Sequence, residues 1–355
     1  MKLRILHITP DFNYVDGRSY YVSLLLKYQK KSGHFVHLAT NGGDSLERAG
    51  NDVSVIPAMS SRYSFVSSVS KLTGLVKQYK IDIIHSHHRY YELLANSIPG
   101  KNHKTVSTAL SIVDKRYFVD YKSDKIIAVS NAVKEMLLTK FGVKENRIEI
   151  IPNFVDSEEI QTGNQNQVEL SHKKNTFTIL SAGRFHPEKD RMTLLKAMAL
   201  LNERNIKLIL IGDGDEETSL RKFANEKKLN VEFIASQTNL KKYFNTADMC
   251  ILTSVRDPLP SFMLQSGLYG KPFAGSNIDG IAEVITNGIT GILFPAKDEK
   301  SVAEAISYLM TNPGDSNTMA GNLHKLIMRD YTDKAVIPKI EKLYNSMFEL
   351  SRTKS

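Results

Sequence analysis

Residues Phe177–Leu201 read FTILSAGRFHPEKDRMTLLKAMALL. An apolar run, Phe177–Leu180, leads into Gly183-Arg184-Phe185-His186-Pro187-Glu188-Lys189, and the helix-patterned run Thr193–Leu201 follows. This spells a strand, a turn carrying two cations, and a helix. In open parallel sheets, ligands bind outside the carboxyl ends of the strands, where Arg184 and Lys189 are placed to meet a phosphate. The free amides of the next helix's first turn add positive partial charge to the same spot. The competing reading is two solvated cations at a helix N-terminus, opposed to the helix dipole unless an anion is bound.

The alternation extends in both directions. Upstream lie Leu3–Thr9, Tyr20–Lys31, Phe35–Ala39, Val53–Ile56, Phe65–Tyr79, Ile81–His85, Tyr90–Ser97, Lys104–Ser107, Lys125–Val129, Asn131–Phe141 and Ile148–Ile151. Downstream, β-type runs recur at Lys207–Ile211, Val231–Ile234, Met249–Leu252, Pro272–Ala274 and Ile292–Phe294, with helical stretches between. This is the rhythm of βα units around parallel sheets. A chain of 355 residues is long for one core and comfortable for two. The polar, aperiodic stretch QTGNQNQVELSHKKN, Gln161–Asn175, reads as a linker. The expectation is two Rossmann-like α/β domains, 1–160 and 176–330, joined by the linker 161–175 and facing one another across a cleft. A last helix, within 331–355, has one apolar face formed by Val336, Ile337, Ile340, Leu343, Tyr344 and Met347, which suits either domain.

Composition narrows the class. No apolar run approaches the roughly 20 residues that span a bilayer, and Met1–Thr9 is too short and strand-like for a signal peptide, so a soluble cytoplasmic protein is expected. The single cysteine, Cys250, lies in an apolar run, where it reads as a small buried hydrophobe. Net charge is +9, and residues 1–165 hold 22 Lys and Arg against 16 Asp and Glu. That excess points to an anionic partner of the first half, such as a membrane surface, or to a merely basic surface. Lys101, Lys104, Lys115, Arg116, Lys122 and Lys125, with Tyr117 and Phe118, suit docking at anionic lipid. No nucleic-acid partner is expected.

Further residues carry chemistry. After Met249–Leu252 comes Ser254-Val-Arg-Asp257-Pro-Leu259-Pro-Ser261-Phe262-Met-Leu-Gln265. Asp257 and Gln265, two helical turns apart, are able to bond sugar hydroxyls, or else are a capping carboxylate and a surface amide. Gly212-Asp213-Gly214 lacks the third glycine of a dinucleotide fingerprint and is followed by three acids, which speaks against nicotinamide and flavin. His85, His87 and His88 cluster at the end of one strand. Positions 85 and 87 point the same way, yet nothing completes the usual metal spacing, so no metal is expected. A histidine there can donate to a substrate hydroxyl or serve as a satisfied structural residue.

Taken together, these motifs resemble the family-4 retaining glycosyltransferases, whose fold is GT-B, over nearly the whole chain. The matching segments are DIIHSHH (Asp82–His88), IIAVSNAVKEML with IEIIPNFVD, SAGRFHPEKD, LILIGDGDEE, and ADMCILTS through YGKPFAGSNIDGIAEVITNGITGILF. The resemblance implies a nucleotide-sugar donor held by the C-terminal domain and a glycan or lipid-linked acceptor held by the N-terminal one. Arg184 and Lys189 then grip the diphosphate, and His87 meets the transferred sugar. The family's glutamate, seven residues, glutamate pattern falls on Asp257, for sugar hydroxyls, and Gln265, for the ribose, with Leu259, Ser261 and Phe262 between them in the donor site. Gly17 lets the backbone approach the sugar, although Asp16 stands where a second glycine is usual, and Phe154 replaces the glycine of the Pro-Asn-Gly signature.

The implied activity is transfer with retention, in cell-surface polysaccharide or glycolipid synthesis, and the final helix is implied to cross back onto the N-terminal domain. The altered acidic pair leaves two other readings: a nucleotide-sugar-binding scaffold without transfer, and a sugar-nucleotide epimerase, which consumes donor without an acceptor.

Overall fold

The computed structural model describes the chain apart from residues 15, 101, 117–119, 162–175, 202–204, 238 and 353–355. The linker expected over 161–175, beyond Gln161, lies outside the described residues, as do Lys101, Tyr117 and Phe118 of the basic segment. The chain divides into two units, Met1–Asn153 with Asp333–Ser355, and Phe154–Thr332.

The first unit is a seven-stranded sheet of β1 (Arg4–Ile8), β2 (Phe35–Thr40), β3 (Val53–Val55), β4 (Ile83–Ser86), β5 (Lys104–Ala109), β6 (Lys125–Ala128) and β7 (Ile148–Ile150). Their order is β3-β2-β1-β4-β5-β6-β7, all parallel. The helices are α1 (Gly17–Lys31), α2 (Phe65–Tyr79), α3 (Arg89–Asn96) and α4 (Asn131–Thr139). A parallel sheet covered on both faces needs strands apolar on both, and every residue of β4 is buried. Helix starts are set by side chains: Asp16 caps α1, His88 caps α3 through Nδ1, and Ser130 caps α4.

The second unit begins with α5 (Glu158–Gln161) and holds six parallel strands: β8 (Phe177–Ala182), β9 (Ile206–Ile211), β10 (Val231–Ile234), β11 (Met249–Leu252), β12 (Phe273–Ser276) and β13 (Ile292–Phe294). Their order is β10-β9-β8-β11-β12-β13. The remaining helices are α6 (Arg191–Leu201), α7 (Glu217–Glu226), α8 (Lys241–Thr246), α9 (Ser261–Leu268), α10 (Asp279–Val284), α11 (Glu299–Thr311), α12 (Pro313–Asp330) and α13 (Asp333–Arg352). Leu194, Leu208, Leu210, Ile251, Ile306 and their neighbours form its core. Cys250 is buried in β11, and burial pushes its thiol up to about 12, as suits an inert core residue.

One device recurs in both sheets. Asp82, Asp124 and Asp248 each stand just before a strand and accept from the first amides of the neighbouring one, at Arg4, Thr105 and Thr178. The aspartate of DIIHSHH is therefore a sheet-registering residue.

The division differs from the expected boundaries. Residues 154–160 belong to the second unit, because Val155 bridges to Thr332 and bonds the Tyr331 carbonyl while Glu159 reaches the Tyr269 hydroxyl. The helix α13 belongs to the first unit. Its apolar face, Val336, Ile340, Leu343 and Tyr344, is buried, and Tyr344 meets Gln29 of α1.

Candidate active site

Each sheet reverses its strand order at one point, and in open α/β sheets that switch point is where ligands bind. In the second unit it lies between β8 and β11, so the turns 183–190 and 253–260 leave side by side. They are laced together: the Val255 amide bonds the Glu188 carbonyl, and the Thr253 hydroxyl bonds the Asp190 carbonyl. Lys189 and Asp257, 68 positions apart, form an ion pair at 2.5 Å, with the Ser254 hydroxyl on the same carboxylate oxygen at 3.3 Å. The sequence gives these two residues separate partners; the fold pairs them. Arg184 is exposed, and no side-chain partner for it is found among the described residues.

Two helix starts border the Lys189–Asp257 pair. At α6 the Asp190 carboxylate accepts from the Thr193 amide and hydroxyl, which occupies one first-turn amide. The start of α9 has no side-chain cap, because Pro260 stands at the capping position. The first-turn amides of Ser261 and Phe262 thus remain available. The Phe262 ring is buried against Phe244, and Leu259 is also buried, so these two offer backbone rather than side chains. Gln265 is half-buried farther along the same helix.

Two residues here escape sequence reasoning. Arg191 is completely buried, donating to the Ser181 hydroxyl at 2.7 Å and the Ala182 carbonyl at 2.9 Å. Burial brings its guanidinium down to about 10, against the pull of Asp257, Asp190 and Glu216, so it stays charged beneath the site at neutral pH. Asp279 accepts from the Asp257 amide at 3.0 Å, and burial raises its carboxyl above the ordinary range. Gly280 lets α10 approach this loop, since a Cβ there would lie 2.0 Å from the Pro258 carbonyl oxygen. Gly212 and Gly214 do the same for the cation-bearing turn: a Cβ on either would meet the Gly183 or Phe185 carbonyl oxygen. That close approach accounts for the glycines of Gly212-Asp213-Gly214 without a dinucleotide.

In the first unit the switch point lies between β1 and β4, at the turn before α1 and at His87 and His88. Gly17 opens α1 at the surface. The Asp16 side chain is spent locally, on the Arg18 amide, the Ser19 hydroxyl and the Arg18 guanidinium. His87 is only 2% exposed, and its Nε2 lies 2.8 Å from His7 Nδ1. His7 pairs in register with His85, and a histidine within the apolar run of β1 was the available signal. One ring nitrogen from each of His7, His85 and His87 lies within 4.8 Å of the other two, the spacing of a possible metal centre; the three rings hold six nitrogens. Five of the six have hydrogen-bond partners: His7 with His87 and Gln29, and His85 with Tyr344 and Thr108. Burial holds His7 down to about 4 and His85 and His87 well below the ordinary range, so all three are neutral at neutral pH.

Two adjoining family models match the chain, Glycosyltransferase Family 4 over residues 15–159 and Glycosyl transferases group 1 over residues 164–325. The chain belongs to the family-4 glycosyltransferases. This glycosyltransferase is 23% identical over 367 residues to the capsular polysaccharide biosynthesis glycosyltransferase CapM of Staphylococcus aureus, covering 93% of this chain and 94% of that one. It is 23% identical to an Escherichia coli UDP-Gal:alpha-D-GlcNAc-diphosphoundecaprenol alpha-1,3-galactosyltransferase, over 82% of this chain and 83% of that one. Among solved structures, a glycosyltransferase from Rickettsia africae superposes with a TM-score of 0.83 at 19% identity, covering 98% and 99% of the two chains. Anabaena Alr3699/HepE in complex with UDP and glucose gives 0.83 at 17% identity, covering 97% and 100%. The fold is GT-B.

Proposed function

We propose that this glycosyltransferase moves a sugar, with retention, from a nucleotide-sugar donor to a glycan or lipid-linked acceptor in cell-surface polysaccharide or glycolipid synthesis. The observation that carries the reading is the grouping of exposed Arg184, the Lys189–Asp257 pair and the uncapped start of α9 at the switch point of the second unit. Cleaving the anomeric carbon to oxygen bond leaves negative charge on the departing diphosphate. Arg184, Lys189 and the amides of Ser261 and Phe262 are of the right sign to stabilise that charge more in the transition state than in the ground state. Lys189 then shares its charge between Asp257 and the diphosphate, while Asp257 accepts from sugar hydroxyls and Gln265 bonds the ribose. In this reading the cations serve where a divalent ion serves elsewhere, and His87 meets the transferred sugar. A relative named for UDP-galactose, and a neighbour bound to UDP-glucose, favour a UDP-sugar donor.

The site of action we propose is the cytoplasmic face of a membrane, with the basic first unit against anionic lipid. Among the described residues no helix is long and apolar enough to cross a bilayer. Sedimentation with anionic vesicles at low salt is expected, and its absence would remove the membrane from the proposal. For the reaction itself, the anomeric configuration of the product is read by proton NMR after incubation with UDP-sugars and undecaprenyl-diphosphate sugar acceptors. An axial donor giving an axial linkage supports the assignment, and inversion contradicts it. Donor bound but never turned over would favour the scaffold, and donor isomerised without acceptor would favour the epimerase.

A further inference from the structure

His7, His85 and His87 belong to one buried chain of hydrogen bonds with Gln29, Thr108 and Tyr344, and chemistry sets the direction of each bond. Gln29 presents its amide oxygen to His7 Nε2 at 2.7 Å and its amide nitrogen to the Tyr344 hydroxyl at 3.2 Å. An amide oxygen only accepts, so the proton of His7 is on Nε2. His7 is neutral, so its Nδ1 is bare and accepts. The partner of that nitrogen, His87 Nε2 at 2.8 Å, must then donate, and His87 Nδ1 is left with a lone pair.

The other branch agrees. The Tyr344 hydroxyl accepts a hydrogen bond from the Gln29 amide and donates one to His85 Nδ1 at 2.7 Å, and His85 Nε2 donates to the Thr108 hydroxyl at 2.6 Å. Every bond has one donor and one acceptor. Turning the Gln29 amide over would reverse them all and move the His87 proton to Nδ1. His87 Nδ1 is the buried ring nitrogen with no partner among the described residues. An orphaned N–H costs more, and is rarer, than an orphaned lone pair, so the unpartnered atom favours the same orientation independently.

We propose that Gln29 and Tyr344 are positioning residues that lock His87 with its proton on Nε2, making Nδ1 a hydrogen-bond acceptor for a hydroxyl of the transferred sugar. This rests on the reading of His87 as the residue that meets that sugar. It reverses the role a strand-end histidine would otherwise be given, as donor. Nδ1 is covered in this state, so the sugar reaches it only once the atoms that cover it part. The lock also gives α13 a part in a site whose histidines lie on β1, on β4 and just beyond the end of β4.

Histidine-selective 15N labelling of the full chain, with His87→Gln used to assign the His87 ring, reads the protonation of each nitrogen. The expected wild-type spectrum shows His87 with a protonated Nε2 and a bare Nδ1. Tyr344→Phe and Gln29→Met are each expected to mix the two tautomers. In Tyr344→Phe, kcat for donor turnover should fall about tenfold while the donor KM changes less than about twofold. A wild-type His87 protonated on Nδ1 overturns the proposal, and this spectrum decides the tautomer even if neither variant folds. A Tyr344→Phe protein with unaltered His87 signals overturns the lock. An unchanged kcat beside a shifted tautomer overturns the positioning role. A wild type with the expected tautomer that turns over no UDP-, GDP- or ADP-sugar sinks the transferase reading and the sugar contact, and leaves the lock standing.

Discussion

Asp257 is 4% exposed, and its carboxylate is held by Lys189 and Ser254. Removing the ammonium leaves a buried charge unpaired, which typically costs about 3 kcal/mol or more. Lys189→Met should therefore lower the denaturant midpoint as well as donor turnover. Adding Asp257→Asn should recover much of the stability and none of the turnover. Equal stability of Lys189→Met and wild type would mean that the pair is not formed in solution. Arg184, Lys189 and Asp257 are legible in the sequence because each stands in a turn just after an apolar strand. Arg191 is not, because it follows Glu188, Lys189 and Asp190 and reads as one more surface charge. Only the packing of α6 against β8 puts it inside. His7 and His87 are likewise far apart until β1 and β4 pair.

At the scale of elements, close backbone approaches hold the site together. The start of α10 fits against Pro258 and Leu259 only because residue 280 is glycine. Gly280→Ala forces the 257–259 loop or α10 to shift, with an expected loss of about 1–3 kcal/mol. Displacing a positioning loop by about 1 Å can cost 100-fold in rate, so donor turnover should suffer more than stability. Chemical denaturation and steady-state kinetics measure the two. Full turnover in Gly280→Ala would show that the 257–259 loop does not hold the donor. The strands were readable from their apolar runs, and α6 and α13 from their 3.6-residue spacing. What spacing could not convey was which helix start stays open. Asp190 occupies the Thr193 amide of α6 and Pro260 leaves α9 without a side-chain cap, so α9 adds free amides beside those of α6.

For the whole molecule, acid is the natural probe of the first unit's interior. His7, held at about 4 in the folded chain, has an ordinary value of 6.5 when exposed, and His85 and His87 are shifted the same way. Between those values the unfolded chain binds more protons than the folded one. Stability is therefore full above about pH 6.5 and falls as the pH drops, for His7 until about 4. At pH 5 unfolding should take up protons through these groups, visible as a falling melting temperature and as a buffer-dependent heat. Unchanged stability from pH 7 to 5 would contradict a buried neutral cluster. The return of α13 to the first unit leads to a second expectation. A chain ended at Thr332 loses the buried Val336, Ile340, Leu343 and Tyr344, roughly 1.5–3 kcal/mol each, and the unit carrying β1 to β7 should then lose its cooperative melting. The two-domain plan was legible in the number of βα units. The owner of the last helix was not legible in its apolar face, which suits any sheet-covering position; only the family resemblance implied it.

The most direct test of the central claim is calorimetric titration of the full chain with UDP-, GDP- and ADP-sugars, repeated with Arg184→Ala. Because Arg184 is exposed, the variant should melt within about 0.5 kcal/mol of wild type. Binding of one nucleotide-sugar class by the wild type, weakened at least about tenfold in the equally stable variant, is the predicted result. No binding of any of them, or equal binding by both proteins, would contradict it.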